Sequence, residues 1–162
     1  MTIQVGDRIP DATLSTPTED GPRPITTAEI FGGKTVALFA VPGAFTPTCS
    51  ARHLPGYVEN RAELAAKGVD TVACISVNDA FVMGAWAKSN ALNGQSDVLM
   101  LADGNGDLTR ELGLILNATG FGMGERSQRY SMLVKDGVVT QLNIEQGGEF
   151  KVSAAEHLLA QI

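Results

Sequence analysis

Cysteine, histidine and positive charge are all scarce in this chain, and each shortage removes a class of function. Only two cysteines, Cys49 and Cys74, and two histidines, His53 and His157, are present. They form no Cys-x-x-Cys pair, so neither a zinc site nor a dithiol–disulfide oxidoreductase is expected. Twelve Lys and Arg face eighteen Asp and Glu, leaving a net charge of −6 and a pI near 4.8. Nucleic acid and anionic membrane are therefore not expected partners. No apolar run approaches the roughly 18 residues of a spanning helix. The opening residues MTIQVGDRIP have neither the basic region nor the apolar core of a secretory signal. With so few cysteines, this points to a reducing, cytoplasmic compartment, where a lone cysteine is catalytic or buried and not part of a staple.

What is present suits one globular domain over residues 1–162. Apolar residues make up 44% of the chain, too many for a disordered segment. Turn residues from Pro10 to Pro24 suggest an irregular N-terminal layer, possible as a hairpin. Thr35–Val41 is a continuous apolar run, as in a strand buried on both faces. A helix is expected from about Thr48 to Ala66, kinked at Pro55 and ended by Gly68. Val69–Val77 is a second strand, and Asp79 or Asn78 caps a helix over Ala80–Ala91, with Phe81, Met83 and Trp86 in its core face. Val98–Ala102 is a third strand and Asp107–Leu112 a short helix. Asp136-Gly137 joins Tyr130–Lys135 to Val138–Asn143 as a hairpin. Ser153 and Glu156 read as a capping box for a final helix. The order predicts an α/β protein with a mixed central sheet and helices on both faces.

The chemically informative segment is Pro42-Gly-Ala-Phe-Thr-Pro-Thr-Cys-Ser50. It places Cys49 at the carboxyl end of a buried strand and in the first turn of a helix, where ligand sites of such sheets lie. An ordinary thiol with a pKa of about 8.5 is only about 3% ionised at neutral pH. Making thiolate the majority form needs about 2.7 kcal/mol. A helix end supplies roughly 0.3–1 kcal/mol, so a cation from elsewhere is required. Arg126 and Arg129 are candidates, and Arg52 lies one turn beyond the cysteine. Thr46 offers a hydroxyl, and Pro42 and Pro47 stiffen the loop. His53, four residues after Cys49, serves either as a base or as a structural group. Cys74, in mid-strand, reads as an inert core thiol.

Three other motifs fail. Asp103-Gly-Asn-Gly-Asp107 begins like a calcium loop but has Leu108 and Leu114 where Gly and Glu are required. Gly120-Phe-Gly-Met-Gly124 does not link strand to helix, so it is no dinucleotide fingerprint. Asn117-Ala-Thr119 is a sequon without a secretory context. No metal or other cofactor is expected.

Pro42-x-x-x-Thr46-x-x-Cys49 resembles the active-site signature of the peroxiredoxins, thiol peroxidases on a thioredoxin-like fold. The strings His53-Leu-Pro-Gly-Tyr57, Ser76-Val-Asn-Asp-Ala-Phe81 and Arg129-Tyr-Ser-Met132 are similar to the type II (atypical, fifth-class-like) subfamily, over nearly the whole chain. The resemblance implies that Cys49 is the peroxidatic cysteine and that Thr46 and Arg129 bind the sulfur and peroxide. Pro42 would wall the pocket, Arg126 would rank behind Arg129, and Phe121 would line the pocket or a dimer contact. Where some members carry a resolving cysteine, this chain has Val152. The implied cycle is of the one-cysteine type, reducing hydrogen peroxide and small alkyl hydroperoxides. Its reductant would be glutathione with glutaredoxin, or thioredoxin, and its assembly a homodimer. A redox sensor or interaction module switched by oxidation of Cys49 is the alternative, and a non-catalytic binding domain with a buried Cys49 is a third.

Overall fold

A computed structural model describes residues 1–90 and 98–162. The chain opens with a hairpin of β1 (Thr13–Thr18) and β2 (Gly21–Thr26), which leads into helix α1 (Thr27–Phe31). Strand β3 (Thr35–Ala40) ends at the loop that carries the signature. A helical segment then runs through a wide π turn (Cys49–His53), α2 (Leu54–Glu59) and α3 (Arg61–Ala66). Next come β4 (Thr71–Ser76), α4 (Ala80–Ser89), β5 (Leu99–Ala102) and α5 (Asp107–Leu112). A small antiparallel pair, β6 (Ile115–Asn117) and β7 (Glu125–Ser127), precedes β8 (Tyr130–Lys135), β9 (Val138–Ile144) and α6 (Ala155–Gln161).

The main sheet has the order β2-β1-β5-β4-β3-β8-β9. Its centre, β5-β4-β3, is parallel, and β1 and β8 join it antiparallel. Alternation along β3 explains the continuous apolar run in the sequence. Ala37, Phe39 and Val41 face one core with α2, α3, α4 and α6. Val36, Leu38 and Ala40 face the other with α1 and α5. This is the expected mixed sheet covered on both sides. The β8–β9 turn lies at Asp136 and Gly137, whose positive φ values of 47° and 81° suit the Asp-Gly pair.

Several local expectations need correction. Phe81 is not core: it is 73% exposed, while Met83 and Trp86 are fully buried. The first turn of α4 points Phe81 away from the sheet. Asp79 does cap that helix, accepting from the Val82 amide. Its expected end at Ala91 lies outside the described residues. Pro55 does not simply kink the long helix. It has no N–H to donate, and the turn before it widens so that the Leu54 amide reaches the Cys49 carbonyl. The break falls later, at Asn60 (φ −96°, ψ 7°). The capping box at Ser153 is absent: Ala154 is the cap of α6 and makes no side-chain cap bond. The Ser153 hydroxyl instead donates to Glu145 at 2.6 Å.

Candidate active site

Residues 41–48 carry the chain from the end of β3 to the π turn. The Asn78 side chain clamps this loop by accepting from the Ala44 amide at 3.0 Å, and Ser76 Oγ donates to Asn78 at 2.7 Å and contacts the Val41 carbonyl at 3.1 Å. The backbone turns at Phe45, whose φ of 65° is unusual for a bulky residue. Helical geometry then begins at Pro47 and delivers Cys49 to the interior. Its sulfur has no solvent exposure.

Two donors converge on that sulfur. Arg129 Nη2 donates to Cys49 Sγ at 3.1 Å. Thr46 Oγ1 lies 2.8 Å from Sγ and 2.7 Å from the Gly43 carbonyl, so its one proton serves one of these acceptors at a time. Arg129 reaches the site from the residue immediately before β8, the strand paired with β3. The register sets Tyr130 opposite Ala40, so a residue distant in sequence meets the loop after β3.

Of the sequence-derived candidates, the structure brings Cys49, Thr46 and Arg129 together. Pro42 stands half-buried at the loop entry. Arg126 is elsewhere: its Nε donates to the Met123 carbonyl and its Nη1 to the Val77 carbonyl. Arg52 lies with its guanidinium 4.7 Å from the centre of the Phe150 ring. Phe121 is 86% exposed. Cys74 is buried on β4 as a free thiol, and burial together with the Cys49 sulfur pushes its pKa well above the ordinary value. The donor set around the Cys49 sulfur suits an anion.

His53 proves to be a connector. Its Nδ1 meets Arg129 Nη1 at 2.8 Å and its Nε2 meets the Ser153 carbonyl at 3.0 Å. A guanidinium only donates and a carbonyl only accepts, so the ring must be neutral with its proton on Nε2. Phe39, Tyr57 and Phe150 pack around it at centroid distances of 4.8, 5.6 and 5.0 Å. Burial, followed by the Arg129 charge, lowers its pKa from 6.5 to about 3. One local signal in the sequence pointed toward this role, the helical spacing of four residues from Cys49. It carried none for Ser153 or Glu145 as partners.

The His53 shift has a sign that can be tested. Its folded value lies below the unfolded one, so between pH 6.5 and 3 the unfolded chain binds a proton that the folded chain does not. The stability this contributes is complete above pH 6.5 and is lost as pH falls toward 3, by up to about 1.4 kcal/mol per pH unit. Urea unfolding of the wild type and His53→Gln should show the steeper acid loss in the wild type. Parallel curves would contradict the assigned neutral state.

Known proteins resemble this chain along nearly its whole length. The family model described as Redoxin matches residues 4–159. Chloroplastic peroxiredoxin-2E-2 of Oryza sativa subsp. japonica is 55% identical over 162 residues, covering 98% of this chain and 72% of that protein. A solved structure described as a putative thioredoxin reductase from Burkholderia cenocepacia has a TM-score of 0.96 at 46% identity, covering 100% of this chain and 99% of that one. Reduced Prx3 from Vibrio vulnificus, in complex with H2O2, has a TM-score of 0.93 at 51% identity over 99% of both chains. The chain belongs to the Redoxin family and has its thioredoxin-like fold. Within that family it is a type II peroxiredoxin, and its activity is that of a thiol peroxidase.

Proposed function

We propose that Cys49 is the peroxidatic cysteine, that Arg129 and Thr46 hold its sulfur and the peroxide, and that Pro42 walls the entry. The observation that carries this is the convergence of Arg129 Nη2 and Thr46 Oγ1 on one buried sulfur. In the reaction, the thiolate attacks the terminal oxygen of ROOH. The S–O bond forms as the O–O bond breaks, and the departing alkoxide takes a proton to become ROH. Sulfur is oxidised by two electrons to the sulfenic acid, and the peroxide is reduced by two. The always-protonated guanidinium is placed to stabilise charge on sulfur and on the cleaving oxygens. The closed surroundings of the sulfur favour hydrogen peroxide and small alkyl hydroperoxides.

Resolution in this reading is external. Position 152 is valine, and the only other cysteine, Cys74, is buried and strongly disfavoured as a thiolate. One thiol condenses with the Cys49 sulfenic acid, releasing water, and a second releases Cys49 as the new disulfide departs. Glutathione with glutaredoxin, or thioredoxin, would supply them in a reducing, cytoplasmic setting. A homodimer is part of the same reading. It is supported by exposed Phe45 and Phe121 (54% and 86%), in segments brought together where Gly43 approaches Met123.

Steady-state peroxide consumption with each reductant side by side is the direct test. Turnover is expected with at least one, and intact-mass analysis after stoichiometric peroxide should show Cys49 as sulfenic acid or a mixed disulfide. A stoichiometric Cys49–Cys74 disulfide would refute the one-cysteine cycle. Oxidation without turnover would favour a redox sensor or interaction module switched at Cys49.

A further inference from the structure

Glu145, the residue after β9, is a buried carboxylate with 6% exposure. Its Oε2 accepts from the Lys151 amide, the Ser153 amide and the Ser153 hydroxyl at 2.8, 2.8 and 2.6 Å. Burial alone would raise its pKa, but the Ser153 hydroxyl and the amides of residues 151–153 outweigh that and hold it below the usual carboxylate value. Its own amide donates to the Arg129 carbonyl at 3.0 Å. Glu145 therefore ties down two things at once: the backbone of Arg129, and the 146–153 loop that presents the Ser153 carbonyl. That carbonyl accepts from both Tyr57 Oη at 2.9 Å and His53 Nε2 at 3.0 Å.

The links form one directed chain. With its Nε2 proton committed to Ser153, His53 keeps a lone pair on Nδ1 for Arg129 Nη1. With Nη1 committed, the rigid fork of the guanidinium leaves Nη2 facing Cys49 Sγ. If the Ser153 carbonyl moved, the histidine proton could shift to Nδ1, which cannot accept from an arginine. Phe150, on the same loop, meets His53 edge-on with ring centroids 5.0 Å apart and lies 5.9 Å from the Arg129 guanidinium, so the loop contacts both members of the pair.

We propose that Glu145 is a positioning residue for the peroxide step, fixing the Ser153 carbonyl that sets the His53 tautomer and thereby the aim of Arg129 at the Cys49 sulfur. The inference rests on the reading of Cys49 and Arg129 given above. It needs no contact between Glu145 and substrate.

The test compares wild type, Glu145→Ala, Glu145→Gln, Ser153→Ala and Arg129→Ala. Oxidation of reduced protein by hydrogen peroxide is followed by rapid mixing through the fluorescence of the single tryptophan. Trp86 Nε1 donates to Ser50 Oγ, beside Cys49, at 2.9 Å. Glu145→Ala should slow this step about tenfold or more, as expected for a displaced reacting group. Glu145→Gln keeps an acceptor oxygen and should recover the rate to within about threefold of wild type. Nitrogen-15 spectra of labelled histidine supply a readout that general destabilisation would not move. Wild-type His53 should be neutral with the proton on Nε2 at neutral pH, and Glu145→Ala should lose that signature. A wild-type His53 protonated on Nδ1 or on both nitrogens would overturn the proposal without any variant. A wild-type rate in Glu145→Ala, while Arg129→Ala is slow, would also overturn it. Wild-type rates in both would instead overturn the underlying reading of Arg129. Should Glu145→Ala fail to fold, Ser153→Ala carries the comparison: it removes one of the three contacts to Oε2 and should slow oxidation measurably, and an unchanged rate and tautomer would count against the proposal.

Discussion

Cys49→Ser will abolish peroxide consumption and leave the fold standing. The proposed reaction uses a thiolate nucleophile, and a serine hydroxyl near neutral pH is neither ionised nor comparably nucleophilic. A loss exceeding about 1,000-fold in the rate of peroxide reduction is expected. The fold should survive because serine is slightly smaller and stands where Arg129 and Thr46 already offer polar partners to a buried atom. Circular dichroism and the thermal midpoint should change little while turnover falls to background. Retained turnover would move the nucleophile to another residue, with Cys74 the first to examine. Its burial on β4, with Phe39 and Met100 as strand neighbours, makes that outcome chemically hard to realise.

Arg129→Ala should produce the second-largest effect, a fall of about 100- to 1,000-fold in the second-order rate of Cys49 oxidation. The guanidinium supplies a permanent charge and a donor 3.1 Å from sulfur in a place without bulk water. Removing it leaves the sulfur with the Thr46 hydroxyl, whose proton is shared with the Gly43 carbonyl. It also leaves His53 Nδ1 without its donor, so the loss has a structural component of about 1–3 kcal/mol for a buried unsatisfied acceptor. Arg129→Lys separates the two components. Lysine restores charge but not a planar fork able to reach Nδ1 and Sγ together. An intermediate rate is expected from it. Stopped-flow oxidation at several peroxide concentrations is the measurement, and an alanine variant within about twofold of wild type would remove Arg129 from the proposed chemistry.

The sheet was legible because its signals are local. Thr35–Val41 reads as a doubly buried strand from composition alone, and Asp136-Gly137 names its own turn. Cys49 and Thr46 were legible for the same reason, since a three-residue spacing at one strand-to-helix junction is enough to bring them together. Arg129 was different. Residue chemistry left it level with Arg126, and only the resemblance ranked it first. What separates them physically is the antiparallel pairing of β3 with β8, which no local pattern encodes. Ser153 shows the complementary error. Its spacing from Glu156 suggested a cap, but a carboxylate eight residues earlier competes for the same hydroxyl. The intended partner of a polar side chain is set by packing, and sequence neighbours lose when a buried acceptor needs satisfying.

The wide turn at Cys49–His53 has a consequence for regeneration. Hydrogen peroxide is small enough for a closed crevice, whereas glutathione or a protein thiol needs an open approach to a sulfur that has no exposed surface. In the proposed external cycle the same five residues would therefore have to satisfy two visitors of very different girth, shut for oxidant and swung outward for reductant. A helix widened before Pro55, with its register of carbonyls one residue out of step, would open there at lower cost than a regular helix. In that cycle the proline would thus bear on how quickly the sulfur is made ready for its next peroxide, although it lies six residues from that sulfur in sequence and takes part in no chemistry.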